Sequence, residues 1–142
     1  MLGMITERLT HMDLGEEDQL TVRFESSSTV TEGVICDVYS LPTDPSRDLG
    51  LVVVEPGYRT PMQRVVGGER TIERHLGGVG SLLIVRADGG EEVHHVDDHI
   101  DEPFSTEVGL GDTLQWVATG ETALRFVEIC YPPYEPGRFE DI

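Results

Sequence analysis

Lysine is absent from this 142-residue chain: all ten basic residues are Arg, against 27 Asp and Glu, for a formal net charge of −17. That deficit leaves no basic face with which to follow a phosphate backbone, so nucleic acid is excluded as a partner. Anionic membrane surfaces are excluded on the same ground. Aromatics are also scarce, at one Trp, four Tyr and four Phe. No apolar run approaches the roughly 20 residues of a membrane span, and no segment has the pattern of a secretory signal. The expected location is therefore cytoplasmic. Cysteine is limited to Cys36 and Cys130, each in an apolar run, GVICDVY and RFVEICY. Two buried core thiols are one reading of the pair. A disulfide between the runs, which needs close Cα atoms, is the other.

What the chain does have is glycine, 16 of them, and many short alternating segments. Its length suits one domain, which at this size buries roughly two-thirds of the surface its unfolded chain would expose. The acidity makes molecules repel at low salt. It reads either as adaptation to high salt, where screening removes the repulsion, or as an ordinary acidic protein from a genome that disfavours Lys codons.

Residues 1–19 are mixed and polar, with a short helix expected around Ile5 to Met12. In QLTVRFE, Leu20, Val22 and Phe24 fall on one face, which predicts a strand; Ser26 to Thr31 reads as a turn or link. From Gly33 the pattern repeats. GVICDVYSL, DLGLVVVE, TPMQRVV, RTIERHL, GSLLIVR, EEVHHV, FSTEVGL, TLQWVA and ALRFVEIC read as strands, punctuated by Pro56-Gly57 and by glycine pairs. Strands at this spacing without helical periods predict a sandwich or closed jelly roll. Residues 1–32 are expected to form an arm packing on a barrel of residues 33–142. The tail YPPYEPGRFEDI should pack across the barrel or a neighbouring subunit.

Within Pro56 to Gly80, Gly57 is followed by five residues and then Gln63. Val65 comes two later, Arg70 after four more residues, and Gly77 after a further six. This frame resembles the first cupin motif, Gly-x5-His-x-His-x3,4-Glu-x6-Gly. Both glycines are in register and all three ligand slots are replaced, by Gln63, Val65 and Arg70; with the shorter spacing Glu69 fills the glutamate slot and the second glycine is lost. The second motif survives as Gly111-Asp112, with Gln115 or Trp116 near its histidine position. The resemblance covers about residues 46–130 and implies an all-β double-stranded β-helix, the cupin jelly-roll barrel. The Gln63 position and the ending LRFVEICYPPYEPGRFED lean toward its sugar-phosphate isomerases and epimerases.

An amide, an alkyl group and a guanidinium make a poor metal site, and a cation among the ligands would repel the ion. No cofactor is expected. His94, His95 and His99, with Asp97 and Asp98, offer other donors, but a strand sends His94 and His95 to opposite faces, so this stretch reads as a solvated edge. Phasing the returning strand on Arg70 places Arg70, Ile72 and Arg74 inside and Thr71, Glu73 and His75 outside. The expected ligand-binding set is then Gln63, Val65, Arg70, Ile72, Arg74, Gln115 and Trp116, suited to a small anionic or sugar-like molecule. The alternative is that Arg70 and Arg74 form buried ion pairs with Glu69, Glu73 or Glu128 and only order the barrel. No nucleophile elbow or phosphate-binding loop is present, and catalytic residues are not identifiable. Three functions follow: a metal-independent small-molecule binder, a sugar or sugar-phosphate isomerase or epimerase, or a structural homodimer with a packed barrel. A homodimer is expected in any case, because Leu20, Val22, Phe24 and the tail aromatics would form an exposed apolar patch on a monomer.

Overall fold

The computed structural model describes residues 8–15, 19–99 and 103–142, and the described residues are all β with no helix. A two-strand ladder, β1 (His11–Met12) and β2 (Leu20–Thr21), opens the chain. Next come β3 (Arg23–Thr31), β4 (Val34–Ser40), β5 (Asp48–Val54), β6 (Gln63–Val65), β7 (Arg70–Gly77) and β8 (Gly80–Val85). The last five are β9 (Glu91–Val96), β10 (Ser105–Gly109), β11 (Thr113–Ala118), β12 (Leu124–Tyr131) and β13 (Phe139–Asp141). They form two sheets, ordered β10-β7-β12-β5-β4-β3 and β13-β6-β11-β8-β9. Strands distant in sequence are neighbours in each, as a jelly roll requires.

Alternation along the strands assigns their faces. Val52 and Val54 of β5, Leu124 and Phe126 of β12, Leu82 and Ile84 of β8, and Leu114, Trp116 and Ala118 of β11 meet in the core between the sheets. The six-stranded sheet has a second apolar layer on its outer face. There Met12, Leu14 and Val22 of the arm cover Tyr39, Leu49, Val127 and Ile129, flanked by Ile72 and Leu76. At about 25 cal/mol per Å² of apolar surface removed from water, this second layer adds substantially to a barrel of modest size.

Three expectations are corrected. Ser26 to Thr31 is not a turn: it belongs to β3, a nine-residue edge strand paired with β4 through two register irregularities. β-Branched Thr29, Val30 and Thr31 favour extended backbone, and an edge strand open to water accepts serines. The helix expected over Ile5 to Met12 lies partly outside the described residues; within them, His11–Met12 is a strand. Met12 and Leu14 are both buried, a two-residue period that suits extended chain rather than helix.

The third correction concerns β7. Thr71, Glu73 and His75 are buried within the barrel, while Ile72 and Leu76 face the arm. Phasing on Arg70 inverted the strand. An apolar Ile72 is a poor guide here, because both faces of this sheet are apolar.

Candidate functional site

A cavity of about 170 Å³ lies between the sheets, near the β3–β4 end. That is close to the volume that holds one six-membered ring. β12 turns Phe126, Glu128 and Cys130 into it, β5 turns Asp48, Gly50 and Val52, and β4 turns Cys36 and Val38. Trp116 forms its floor, stacked on Phe126 at 4.4 Å between ring centroids and 14° between planes. Tyr134 and Phe139 of the tail stack at 6.3 Å and also line it.

The centre of the site is a pair of carboxyls. Glu73 and Glu128 are direct cross-strand partners in the β7–β12 ladder, and their side chains hydrogen-bond within the barrel. Glu73 is fully buried, and its Oε1 accepts a hydrogen bond from Trp116 Nε1 at 2.9 Å. Its Oε2 has no donor in reach. Burial pushes the Glu73 carboxyl well above the usual carboxylate range, and the Glu128 charge pushes it the same way. Burial raises Glu128 as well, opposed by the Glu73 hydrogen bond and then by the Arg138 charge. Glu73, raised further of the two, is therefore the one that keeps its proton, as two buried like charges cannot both ionise cheaply. Glu128 is only partly enclosed by protein atoms because its carboxyl opens on the cavity.

Around this pair the groups are unreactive or already engaged. Burial pushes the Cys36 thiol up to about 12 and the Cys130 thiol higher still, so neither is a nucleophile near neutral pH. Both are free. Asp48 is raised by burial, though Tyr134 N donates to its Oδ2 at 3.1 Å. The tail is held by Arg138, buried to 3% exposure, which donates to the carbonyls of Pro132 (2.7 Å), Arg70 (2.6 Å) and Tyr131 (2.7 Å). A Cβ on Gly68 would lie 2.4 Å from Arg138 Nη1, so only glycine leaves room for the guanidinium.

Of the seven residues expected to bind ligand, two line this cavity, Gln63 and Trp116. Val65 faces inward but is sealed in the core. Gln115 lies on the opposite face of β11 from Trp116 and donates to Thr60 O at 2.9 Å. Arg70 is exposed, 3.5 Å from Glu107 and stacked over the Tyr131 ring at 4.4 Å. Arg74 lies beneath Gly15 of the arm, and Ile72 packs in the outer layer. The expected Arg pair is thus on the wrong side of β7, and the alternative ion pairs of Arg70 and Arg74 with Glu69, Glu73 or Glu128 do not form among the described residues.

Sequence reasoning missed Glu73, Glu128 and Asp48 as site residues. One signal was available: Glu73, six residues and Gly80 repeat the Glu-x6-Gly spacing of the motif, three residues beyond the frame drawn from Gly57. His94 and His95 do point to opposite faces. His94 Nε2 lies 2.8 Å from Glu92 Oε1 and His95 Nδ1 lies 2.8 Å from Ser81 Oγ. Among the described residues no three His, Cys, Asp or Glu side chains converge on one point.

No protein-family model matches the sequence, and no curated protein sequence does either. Solved structures do match. The capsular polysaccharide assembling protein CapF of Staphylococcus aureus aligns over 85% of this chain and 34% of its own, at 11% identity and a TM-score of 0.64. Bacillus subtilis oxalate decarboxylase, in a structure concerned with its Mn(II) centres, aligns over 79% of this chain and 29% of its own, at 15% identity and a TM-score of 0.65. This chain spans about a third of the length of either protein. Both neighbours are cupin-fold proteins. With the two-sheet jelly roll and the framing glycines already in place, the chain has the cupin fold.

Proposed function

We propose that this chain is a metal-independent cupin whose barrel holds a small molecule. The observation that carries this reading is Glu128: a carboxyl sunk in the barrel, hydrogen-bonded among the described residues to Glu73, that lines a cavity. A barrel that was merely packed would gain nothing by keeping an under-bonded carboxyl beside empty space, since burying such a group costs free energy. A metal does not fit the residues present. Gln63 and Val65 stand where the motif has histidines, Arg70 is outside, and the interior Glu73 is protonated and tied to Trp116. Nothing here matches the donor set that a Mn(II) centre requires.

The outward turn of Arg70 and Arg74 removes the support for an anionic ligand. Acceptors dominate the lining, so the reading favours a compact ligand rich in hydrogen-bond donors, the sugar-like half of the original expectation. A thermal-shift screen of monosaccharides, cyclitols, small ring alcohols and small ring amines tests it. A ligand at about a hundred times its dissociation constant stabilises the native state by roughly 2.7 kcal/mol. Val38→Phe, which fills the cavity, should remove the response. Wild type that responds to no compound, or a response unchanged by Val38→Phe, refutes the reading.

A second reading is favoured by the carboxyl pair itself. A carboxylate on a cavity backed by a protonated carboxyl is the equipment of acid–base chemistry, with Glu128 taking a proton from one substrate carbon and returning it to the same or the neighbouring carbon while Glu73 keeps its own. This is the isomerase or epimerase alternative. Deuterium from solvent appearing at a carbon of an added sugar or sugar phosphate, and lost in Glu128→Gln, would establish it. The free thiols fit a reducing compartment, the cytoplasm. No helix among the described residues is long and apolar enough to cross a membrane.

A further inference from the structure

The ligand's charge can be argued from which polar atoms of the cavity are still unspent. Gln63 commits its amide to Asp141, Nε2 to Oδ1 at 3.0 Å. The Thr60 hydroxyl accepts from Trp116 N at 2.9 Å and turns its own proton toward Trp116 O. The Cys36 and Cys130 thiols are weak donors. What remains free to meet a ligand is the Glu128 carboxyl, the open oxygen of Asp48 and the Ser28 and Tyr134 hydroxyls, and of these only the two carboxyls carry charge. Among the described residues no Arg or His lines the cavity. Arg138 is near enough to act electrostatically on both carboxyls, yet its hydrogen bonds all go to backbone carbonyls.

The rest of the wall is aromatic and aliphatic. Trp116, Phe126, Tyr134 and Phe139 surround a space of one ring's volume, and aromatic faces attract cations as well as apolar groups. An anion entering here would meet two carboxyls whose neighbouring cation, Arg138, is committed to backbone carbonyls and does not line the cavity, a pairing that the interior penalises. A cation would relieve them. Burial holds both Asp48 and Glu128 above the ordinary carboxylate range, and a positive group beside them restores the ionised form. The net charge of −17 adds a long-range potential that gathers cations at low salt.

Resting on the reading of the barrel as a ligand site, we infer that its ligand is a compact organic cation, a ring-sized apolar body bearing a protonated amine that sits against Glu128 and Asp48. The amine supplies the positive charge that no lining residue carries, and the ring fills the aromatic part of the cavity. Glu73 is a positioning residue in this scheme. Its proton and the Trp116 hydrogen bond hold the Glu128 carboxylate pointing at the amine.

Three probes of the same shape separate charge from size: benzylammonium, benzyl alcohol and benzoate, titrated into the full chain by calorimetry at molar salt. Screening there falls to about 3 Å, which suppresses diffuse attraction to the acidic surface. Benzylammonium should bind at least about tenfold more tightly than benzyl alcohol, and benzoate should not bind, since a buried charge pair is commonly worth more than one decade of affinity. In Glu128→Gln the preference for the ammonium should fall to about onefold with benzyl alcohol binding retained. Equal affinity for ammonium and alcohol in the wild type, or a preference that survives Glu128→Gln, overturns the cation assignment and leaves the ligand-site reading standing. If none of the three binds, the ligand-site reading falls with it.

Discussion

Glu73 and Glu128 face each other across the β7–β12 ladder, and Trp116 Nε1 donates to Glu73 Oε1 at 2.9 Å from the opposite sheet. The two sheets are therefore joined through the barrel interior by a tryptophan, a protonated carboxyl and a second carboxyl. This chain of hydrogen bonds ties the apolar core to the cavity, and its proton sets how the protein responds to pH.

Both carboxyls have folded-state pKa values raised above the ordinary 4.5. Below that value the folded and unfolded chains both hold these protons, and the pair costs nothing. Above it the unfolded chain releases protons that the folded chain keeps, so stability falls as pH rises, until the folded pair itself ionises. Glu73→Gln keeps a carbonyl for Trp116 and an N–H for Glu128 without a titrating group. It should raise stability near neutral pH by roughly 1–3 kcal/mol and flatten the dependence above pH 4.5. Urea denaturation at fixed high salt across the pH range checks both. A wild-type slope shared by Glu73→Gln would show that the pair is not its source.

Gly57 and Gly68 both have positive φ, 84° and 72°, but a Cβ on Gly57 meets nothing within 4 Å while one on Gly68 strikes Arg138. Gly57→Ala should cost only the backbone strain, about 1–2 kcal/mol. Gly68→Ala should cost more, because it also displaces a guanidinium holding three carbonyls of the tail and strand ends. Limited proteolysis of the tail should accelerate in Gly68→Ala alone, and equal losses of stability would argue against the latch.

Arg70 carries nothing in the barrel. Its ion pair with Glu107 is long and the two side chains are 47% and 59% exposed, a class of contact worth 0–1 kcal/mol. Arg70→Ala should shift the melting temperature little and leave the binding of every cavity probe unchanged. Lost binding in this variant would restore Arg70 as a ligand residue.

The homodimer expectation now rests on a different feature. Val22 is buried within the chain, and Leu20 and Phe24 pack against the same outer layer, so the arm no longer supplies an exposed patch. Among the described residues the outer edge of β3 stays open, and its Ser26 to Thr31 stretch bears no charge. Unpaired strand edges recruit partners, and repulsion between two −17 chains opposes this until salt screens it. Light scattering should find a monomer at low salt and a dimer near molar salt, abolished by Ser27→Lys with Thr29→Lys. A monomer at every salt concentration would dispose of the proposal.

The strands from Val34 to Tyr131 were legible because a half-buried strand must alternate and glycine must take the tight turns between them. Gly57 and Gly78 both have positive φ at such turns. The inward placement of Gln63 was legible for the same reason, whereas the choice between Gln115 and Trp116 was not. The phase of β7 was not. Where the arm covers the outer face of the six-stranded sheet, both faces are apolar, and Ile72 and Leu76 on the outside look in sequence like core residues. Glu73 and Glu128 were hidden by the same ambiguity, since a carboxyl amid apolar neighbours reads as solvent-facing until a partner is found for it. The partner lies 55 residues away, in register only once the sheet has formed. Sequence by itself determined the strand pattern, the turns and the lack of metal donors in the motif, all consequences of local chemistry. Only the tertiary structure decided which charges lie inside, because that depends on contacts between strands that no local pattern encodes.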